Sequence, residues 1–385
     1  MKVHISFVGG QPAPVYHGIV ATQPDYVVLI YSKDTAHYLD RLKEVLMVPV
    51  ETVMLHPTNP SKILKAAQSL AERFSQDHIT VNISSGLKSW SHLFGITFQP
   101  LPNAHVVYMD QNNVLWDYKT MSSRDDYQFD MDILFRLHGN PLNHFKRFAE
   151  YTANDERALR QIETMRRYNY SLFNQLTALL SKEMESKLAQ HSQGLFIASD
   201  GLSYIEWDKQ DPHVKIVLNH KGWGVKEMAI SSPHVIDLTF HSGWFEYKVA
   251  RMLSHWSYSK EIRLNCIFPL RDNQVSTSAN TKNEIDVIVN TGRKMLFVEC
   301  KTNITSSLDI DKFRTAVKNY GGQGSKALFV TDNRMSDLQK VKCQESHIIP
   351  ISLAELGLYE KSVEPKQIEQ QMFRILEKEL LSINA

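Results

Sequence analysis

The first third of the chain alternates between short apolar runs and amphipathic stretches. Strand-like runs fall at 3–8 (V-H-I-S-F-V), 26–31 (Y-V-V-L-I-Y), 50–55 (V-E-T-V-M-L), 79–83 (I-T-V-N-I) and 105–109 (H-V-V-Y-M). Helical spacing lies between them at 35–47 and 61–75, the latter with Ile63, Leu64, Ala67, Leu70, Ala71 and Phe74 on one face. Strands alternating with helices predict a parallel sheet covered on both faces. The last third has a different rhythm. A helix over 243–256 carries Phe245, Val249, Met252, Leu253 and Trp256 on one face. N-E-I-D-V-I-V-N (283–290) and L-F-V-E-C-K (296–301) read as buried strands joined by a turn opening at Thr291-Gly292. Ile310, Phe313, Val317 and Tyr320 then repeat at helical spacing, and K-A-L-F-V-T-D (326–332) is another buried strand. In between, helices are predicted over 141–152 and roughly 155–190, then a hairpin of 195–199 and 203–207 around Asp200-Gly201. The predicted class is α/β: a parallel-sheet domain over 1–125, a helical connector with a hairpin over 126–232, and a second α/β domain over 233–385.

Composition narrows the function classes. A chain of 385 residues exceeds one ordinary core, in keeping with more than one domain. The formal net charge of +1 means that any nucleic-acid footprint must be local rather than global. Cys266, Cys300 and Cys343 are odd in number and unrelated in spacing, which excludes a disulfide framework or a zinc site and fits a reducing cytosol. No run approaches the ~18 apolar residues of a membrane span, and the first strand is too short for a signal peptide core. A soluble cytoplasmic protein is expected. Arg157, Arg160, Arg166 and Arg167 cluster on the connector helix; they read as a solvated face, with a winged-helix-like contact to nucleic acid as the alternative.

Charged residues intrude on the two apolar strands. Glu299 and Lys301 are two apart and so share one face, which Asp286 on the neighbouring strand can reach. Two carboxylates and a lysine converging on one sheet suit a divalent cation with oxygen ligands, Mg2+ or Mn2+, and hydrolysis of a phosphodiester. Glu246 lies at the edge of the apolar stripe of the 243–256 helix, where it either joins this group or points to solvent. The metal-ligand candidates are Asp286, Glu299 and the intervening Cys300; the catalytic set is Glu246, Asp286, Glu299 and Lys301. The order helix, three strands, helix, strand resembles the restriction-endonuclease-like PD-(D/E)xK superfamily, with Asp286, Glu299 and Lys301 at its signature positions and Glu246 at its frequent helix glutamate. One departure is Ile285, where proline is common.

Two loops of the first domain are chemically distinctive. V-G-G-Q-P-A-P follows strand one and N-I-S-S-G-L-K-S follows strand four. If the strand order is 3-2-1-4-5, both lie where the sheet reverses direction, the usual ligand position in open α/β sheets. Gly9, Gly10, Gln11, Ser84, Ser85, Gly86 and Lys88 are therefore ligand-binding candidates, the last at a helix start that favours phosphate. Neither loop is G-x-G-x-x-G, and no acidic residue follows strand two directly, as a ribose ligand would, which argues against a dinucleotide. N-I-S-S-G-L-K is similar to the motif of CARF domains, the Rossmann-like sensors of CRISPR systems, with Ser85 where glycine is common and Leu87 where threonine is common.

A CARF-like start joined to a PD-(D/E)xK end resembles the CARF-domain nucleases of type III CRISPR defence. The resemblance implies a homodimer that binds a cyclic oligoadenylate, most often the tetra-adenylate, and then cleaves single-stranded RNA or DNA with Mg2+ or Mn2+. Two alternatives stay open: a constitutive restriction- or repair-type DNA endonuclease, and a ligand-sensing regulator without activity, against which the complete Asp286, Glu299 and Lys301 set argues.

Overall fold

The computed structural model describes residues 1–126, 130–268, 283–292, 294–304, 306–322 and 325–381. The first sheet is built from β1 (Lys2–Phe7), β2 (Tyr26–Tyr31), β3 (Val50–Met54), β4 (His78–Asn82) and β5 (Ala104–Met109), all parallel. Helices α1 (Pro12–Thr22), α2 (Ala36–Val45), α3 (Pro60–Arg73) and α4 (Lys88–Phe98) connect them. The short antiparallel strands β6 (Leu115–Asp117) and β7 (Ser122–Arg124) extend one edge, giving the order β3-β2-β1-β4-β5-β6-β7. The 3-2-1-4-5 order expected from sequence is present. In β2 the side chains alternate between layers: Val28 and Ile30 pack with Ile63, Leu70, Trp90 and Phe94, whereas Val27 and Leu29 pack toward Val15, Ile19 and Leu42. That two-sided burial is why the run reads as continuously apolar. Asn59 starts α3 by accepting from the Lys62 amide at 3.1 Å, with Pro60 in the first turn.

After α5 (Met131–Leu137) the chain contributes β8 (His144–Arg147), then α6 (Ala153–Tyr168), α7 (Tyr170–Thr177) and α8 (Lys182–Gln190). The helix expected over 141–152 is absent. The segment is instead an edge strand pairing with the C-terminal sheet, followed by a single 3-10 turn. The long helix expected over 155–190 is three helices. Asn169 ends α6 and caps α7 by accepting from the Leu172 amide, and Ser181 caps α8. The expected hairpin is part of a four-stranded antiparallel sheet: β9 (Gln193–Ile197), β10 (Tyr204–Asp208), β11 (His213–His220) and β12 (Gly224–Ser231).

The last unit contains α9 (Val235–Thr239), α10 (Gly243–Ser254), β13 (Glu261–Phe268), β14 (Asn283–Asn290), β15 (Met295–Lys301), α11 (Leu308–Tyr320), β16 (Ser325–Thr331), α12 (Asp337–Glu345), β17 (Ile348–Ser352) and α13 (Pro365–Leu381). Its sheet runs β17-β16-β15-β14-β13-β8, antiparallel across β13, β14 and β15 and parallel from β15 to β17. The helix, three strands, helix, strand order expected from sequence is therefore present. One apolar cluster runs from Val15, Leu29 and Leu42 through Phe135 to Phe297, Phe313 and Tyr320, so the first and last sheets share a core layer. Within it Phe268 stacks on Tyr320 at 4.3 Å. No helix among the described residues is long and apolar enough to cross a membrane.

Candidate functional site

The β14–β15 hairpin sets up the carboxylate cluster. Gly292 takes φ +80° in the turn, and the Thr291 amide donates to the Lys294 carbonyl at 3.0 Å. Val287 pairs with Val298 and Ile288 with Phe297, which brings Asp286 alongside the end of β15. There the Cys300 amide donates to Asp286 Oδ2 at 2.7 Å. Lys301 Nζ lies 2.7 Å from Glu299 Oε1 and 4.0 Å from Asp286 Oδ2. Glu246, in the first turn of α10, is oriented by Asn265, whose amide donates to Glu246 Oε2 at 3.1 Å. The structure thus brings together Glu246, Asp286, Glu299 and Lys301.

The electrostatics follow from burial and crowding of like charge. Burial pushes Glu246 well above the carboxylate range, and the negative charges of Asp286 and Glu284 push it further. Burial raises Asp286 against the opposing pull of Lys301 and the Cys300 amide. Burial and Asp286 push Glu299 up to about 8, with Lys301 pulling the other way. For Lys301 burial disfavours the ammonium, but Asp286 and Glu299 outweigh it and hold it charged. Among these four groups three carboxylates face one ammonium, a balance that additional positive charge improves. The donors are hard oxygens, the chemistry of a Mg2+ or Mn2+ site. Among the described residues, no three Asp, Glu, His or Cys side chains stand close enough to cage an ion unaided. The Cys300 thiol is not part of the cluster. It lies in the apolar core with Val287 and Val298, and burial holds it neutral, the form that does not ligate a metal. A groove of about 510 Å³ opens beside Glu299, lined also by Glu284, Asp311, Lys312 and Asn319.

Asn265 was not picked out from sequence. It sits in β13 at φ +50°, where the pairing of β13 with β8 shifts register. Asparagine tolerates this left-handed backbone, and its amide reaches Glu246. Both Asn265→Val and Asn265→Gly lose the amide to Glu246, but Asn265→Val should lower stability by about 1–3 kcal/mol more, the cost of holding a branched residue in that backbone conformation. Thermal unfolding of both checks this; equal losses would show that backbone conformation is not what selects asparagine.

The two N-terminal loops meet at the switch point. A Cβ on Gly9 would stand 2.6 Å from the Gly86 nitrogen and Ser85 Oγ, so the loops touch only because the residue is glycine. Gly86 takes φ +80°. Ser85 Oγ donates to the Gln11 carbonyl at 3.3 Å. Gly9, Gly10, Gln11, Ser85 and Gly86 are thus brought together. Ser84 turns inward: its hydroxyl donates to the Asn82 carboxamide and accepts from the Met109 amide at 2.6 Å. Lys88 is exposed as the first residue of α4, a helix with no side-chain cap. Beneath the loops a cavity of about 300 Å³ is lined by Gln11, Ser84, Asp110, His138, Lys294 and Tyr320. Lys294, in the turn of the β14–β15 hairpin, donates to Asn112 Oδ1 at 3.0 Å. The hairpin that carries the carboxylates therefore touches the loop after β5, at the end of the first sheet where the loops after β1 and β4 meet.

At the level of sequence, no protein family and no curated protein matches the chain. Solved structures do. Can2 from Sulfobacillus thermosulfidooxidans, in complex with cyclic tetra-adenylate, superposes with a TM-score of 0.65 at 14% identity over 99% of both chains. Protein VC1899 from Vibrio cholerae gives 0.73 at 13% identity over 98% of both. A type III CRISPR defence DNA nuclease activated by cyclic oligoadenylate gives 0.56 at 14% identity, over 98% of this chain and 51% of that one. The chain accordingly has the fold of these proteins from one end to the other, as the sequence resemblance to CARF-domain CRISPR effectors leads one to expect.

Proposed function

We propose that this chain is a cytoplasmic, homodimeric nuclease switched on by a cyclic oligoadenylate, the tetra-adenylate being the first ring to test, and that it cuts single-stranded RNA or DNA with Mg2+ or Mn2+. The observation that carries the reading is the Lys301, Glu299 and Asp286 constellation on a hairpin whose turn bonds to the loop after β5. Asp286 and Glu299 would hold the metal ion, since such ions are commonly bound by one or two carboxylates with water and substrate phosphate completing the shell. When bound, the ion polarises the phosphodiester and lowers the pKa of a bound water. Lys301, held cationic, supplies a donor for the charge that builds on the phosphate oxygens. Glu246 backs Asp286 from α10, kept in orientation by Asn265. At the other end Gly9, Gly10 and Gly86 let backbone approach an anionic ring, and Lys88 with the uncapped start of α4 supplies positive charge. A two-fold ring on a two-fold axis would give each protomer the same contacts. The similarity to Can2 bound to cyclic tetra-adenylate supports this assignment. The decisive assay mixes purified protein and Mn2+ or Mg2+ with labelled single-stranded and duplex substrates, with and without cyclic tetra-adenylate. Equal cutting of duplex DNA without any ring replaces this reading with a constitutive endonuclease; no cutting under any condition leaves a non-enzymatic sensor.

Lys88→Ala should weaken ring affinity about ten- to a hundred-fold, because a charge-assisted contact to phosphate contributes about 1.5–3 kcal/mol. Cleavage should fall at limiting ring and recover at high ring, since the carboxylates are untouched. Coinciding ring titrations of wild type and variant would remove Lys88 from the sensor.

A further inference from the structure

The tip of the β11–β12 hairpin carries a feature that neither site uses. Trp223 is 70% exposed and stacks on His220 with ring centroids 4.5 Å apart and planes 15° apart. Tyr168, at the end of α6, sits 5.9 Å from the Trp223 ring, and its hydroxyl donates to the Gly224 carbonyl at 2.8 Å, fixing the tip to the helix. Lys226 Nζ lies 5.3 Å from the centre of the Tyr168 ring. With His220 on one face of the indole, the exposure of Trp223 leaves its other face to solvent. The two segments that meet at the tip carry only positive side-chain charge. Neither 164–182 nor 212–226 contains an aspartate or glutamate. Lys221 lies in the turn of the hairpin and Lys226 against Tyr168, neither in an ion pair among the described residues. The helix that carries Tyr168 is also tied to the end of β15: Arg166, on its buried side, pairs with Asp332 at 2.6 Å, and the Asp332 amide donates to the Lys301 carbonyl at 3.2 Å.

We infer that this tip is a stacking platform for single-stranded nucleic acid, with an unpaired base on Trp223 and the neighbouring phosphates on Lys221 and Lys226. The inference rests on the nuclease reading for its substrate, yet it is tested by binding alone. An open aromatic face among cations suits a polyanion with unstacked bases, whereas paired bases present no free face. This local footprint is what a chain of net charge +1 requires.

The test is fluorescence anisotropy with labelled 12-nucleotide single strands and the matching duplex, in EDTA so that nothing is cut. Trp223→Ala should weaken single-strand binding about five- to a hundred-fold, the range for one base stacked on an aromatic side chain. Trp223→Phe should retain most of the affinity. Lys221→Ala with Lys226→Ala should flatten the salt dependence. Thermal unfolding should be unchanged by all of these, because the side chains are at the surface. Unaltered single-strand binding by Trp223→Ala overturns the platform, whether or not the protein cuts. So does a Trp223 effect confined to oligomeric state, which would make the tip a protein contact. Intact Trp223-dependent binding in a protein that never cuts would sustain the platform and sink the nuclease reading instead.

Discussion

Glu299→Gln is expected to abolish cleavage and, without metal, to stabilise the folded chain at pH 8. The activity loss should be at least about a hundred-fold, the scale of removing one group that stabilises transition-state charge. The stability gain follows from the raised carboxyl. In the folded chain Glu299 is pushed from an ordinary 4.5 to about 8 by burial and by Asp286. Below 4.5 it is protonated in folded and unfolded chains alike and has no effect. Between 4.5 and 8 the folded state keeps a proton that the unfolded state has lost, so stability falls as pH rises through that window. Above it the folded protein carries the full penalty of a buried, crowded anion. Glutamine removes that penalty, so wild type and variant should melt alike at pH 4 and diverge at pH 8 in EDTA. Added Mn2+ should reverse the order, because only wild type gains the ion's binding energy. Near wild-type cleavage in saturating metal would remove Glu299 from the site, and melting curves that stay together from pH 4 to 8 would mean that its carboxyl is not strained. Lys301→Ala should lose rate to a similar degree while metal binding is largely kept.

How much of this was legible depends on how far each residue's partner lies along the chain. The β14–β15 hairpin was readable because its apolar runs and its turn are contiguous, and Glu299 and Lys301 share a face through the two-residue period alone. The loops after β1 and β4 were readable because strand order follows from alternating elements, and Gly9 and Gly86 then meet by topology. β8 was not readable: His144–Arg147 is four polar and aromatic residues whose strand partner among the described residues is β13, more than 110 residues later. Helical phase gave no warning of the break at Asn169, although an asparagine ahead of Leu172 is a capping signal. Glu246 was ambiguous because a helix position says which face it lies on but not that Asp286 waits beneath. Cys300 illustrates the reverse. The same two-residue period that groups Glu299 with Lys301 sends the intervening thiol to the opposite face, into the core.

Arg166 is the residue on which the sequence reading most needed correction, and it carries a large expected effect. Grouped with Arg157, Arg160 and Arg167 it looks like a solvated cluster, but it lies in phase with Leu159, Ile162 and Met165 on the buried stripe of α6. Its side chain is 8% exposed and pairs at 2.6 Å with Asp332, itself 1% exposed. Tyr359 donates to the same carboxylate oxygen at 2.6 Å, and the guanidinium rests against Trp244 and Tyr170. Arg166→Met keeps much of the volume but leaves Asp332 a buried anion whose remaining side-chain partner among the described residues is the Tyr359 hydroxyl. Breaking a buried pair in this way costs about 3–5 kcal/mol, enough to lower the melting temperature by roughly 6–20 °C in a protein built from domains of this size. Asp332→Leu should cost a similar amount by stranding the cation. Removing both charges together should recover most of the loss, because desolvating the pair offsets much of its attraction. A double-mutant cycle in thermal unfolding reads the coupling directly. Additive losses would mean that the two charges do not depend on each other. Because the Asp332 amide holds the Lys301 carbonyl, recovered stability should be accompanied by recovered cleavage only if that backbone contact survives. A stable but inactive double variant would show that the ion pair, rather than the fold alone, keeps Lys301 in register with Glu299.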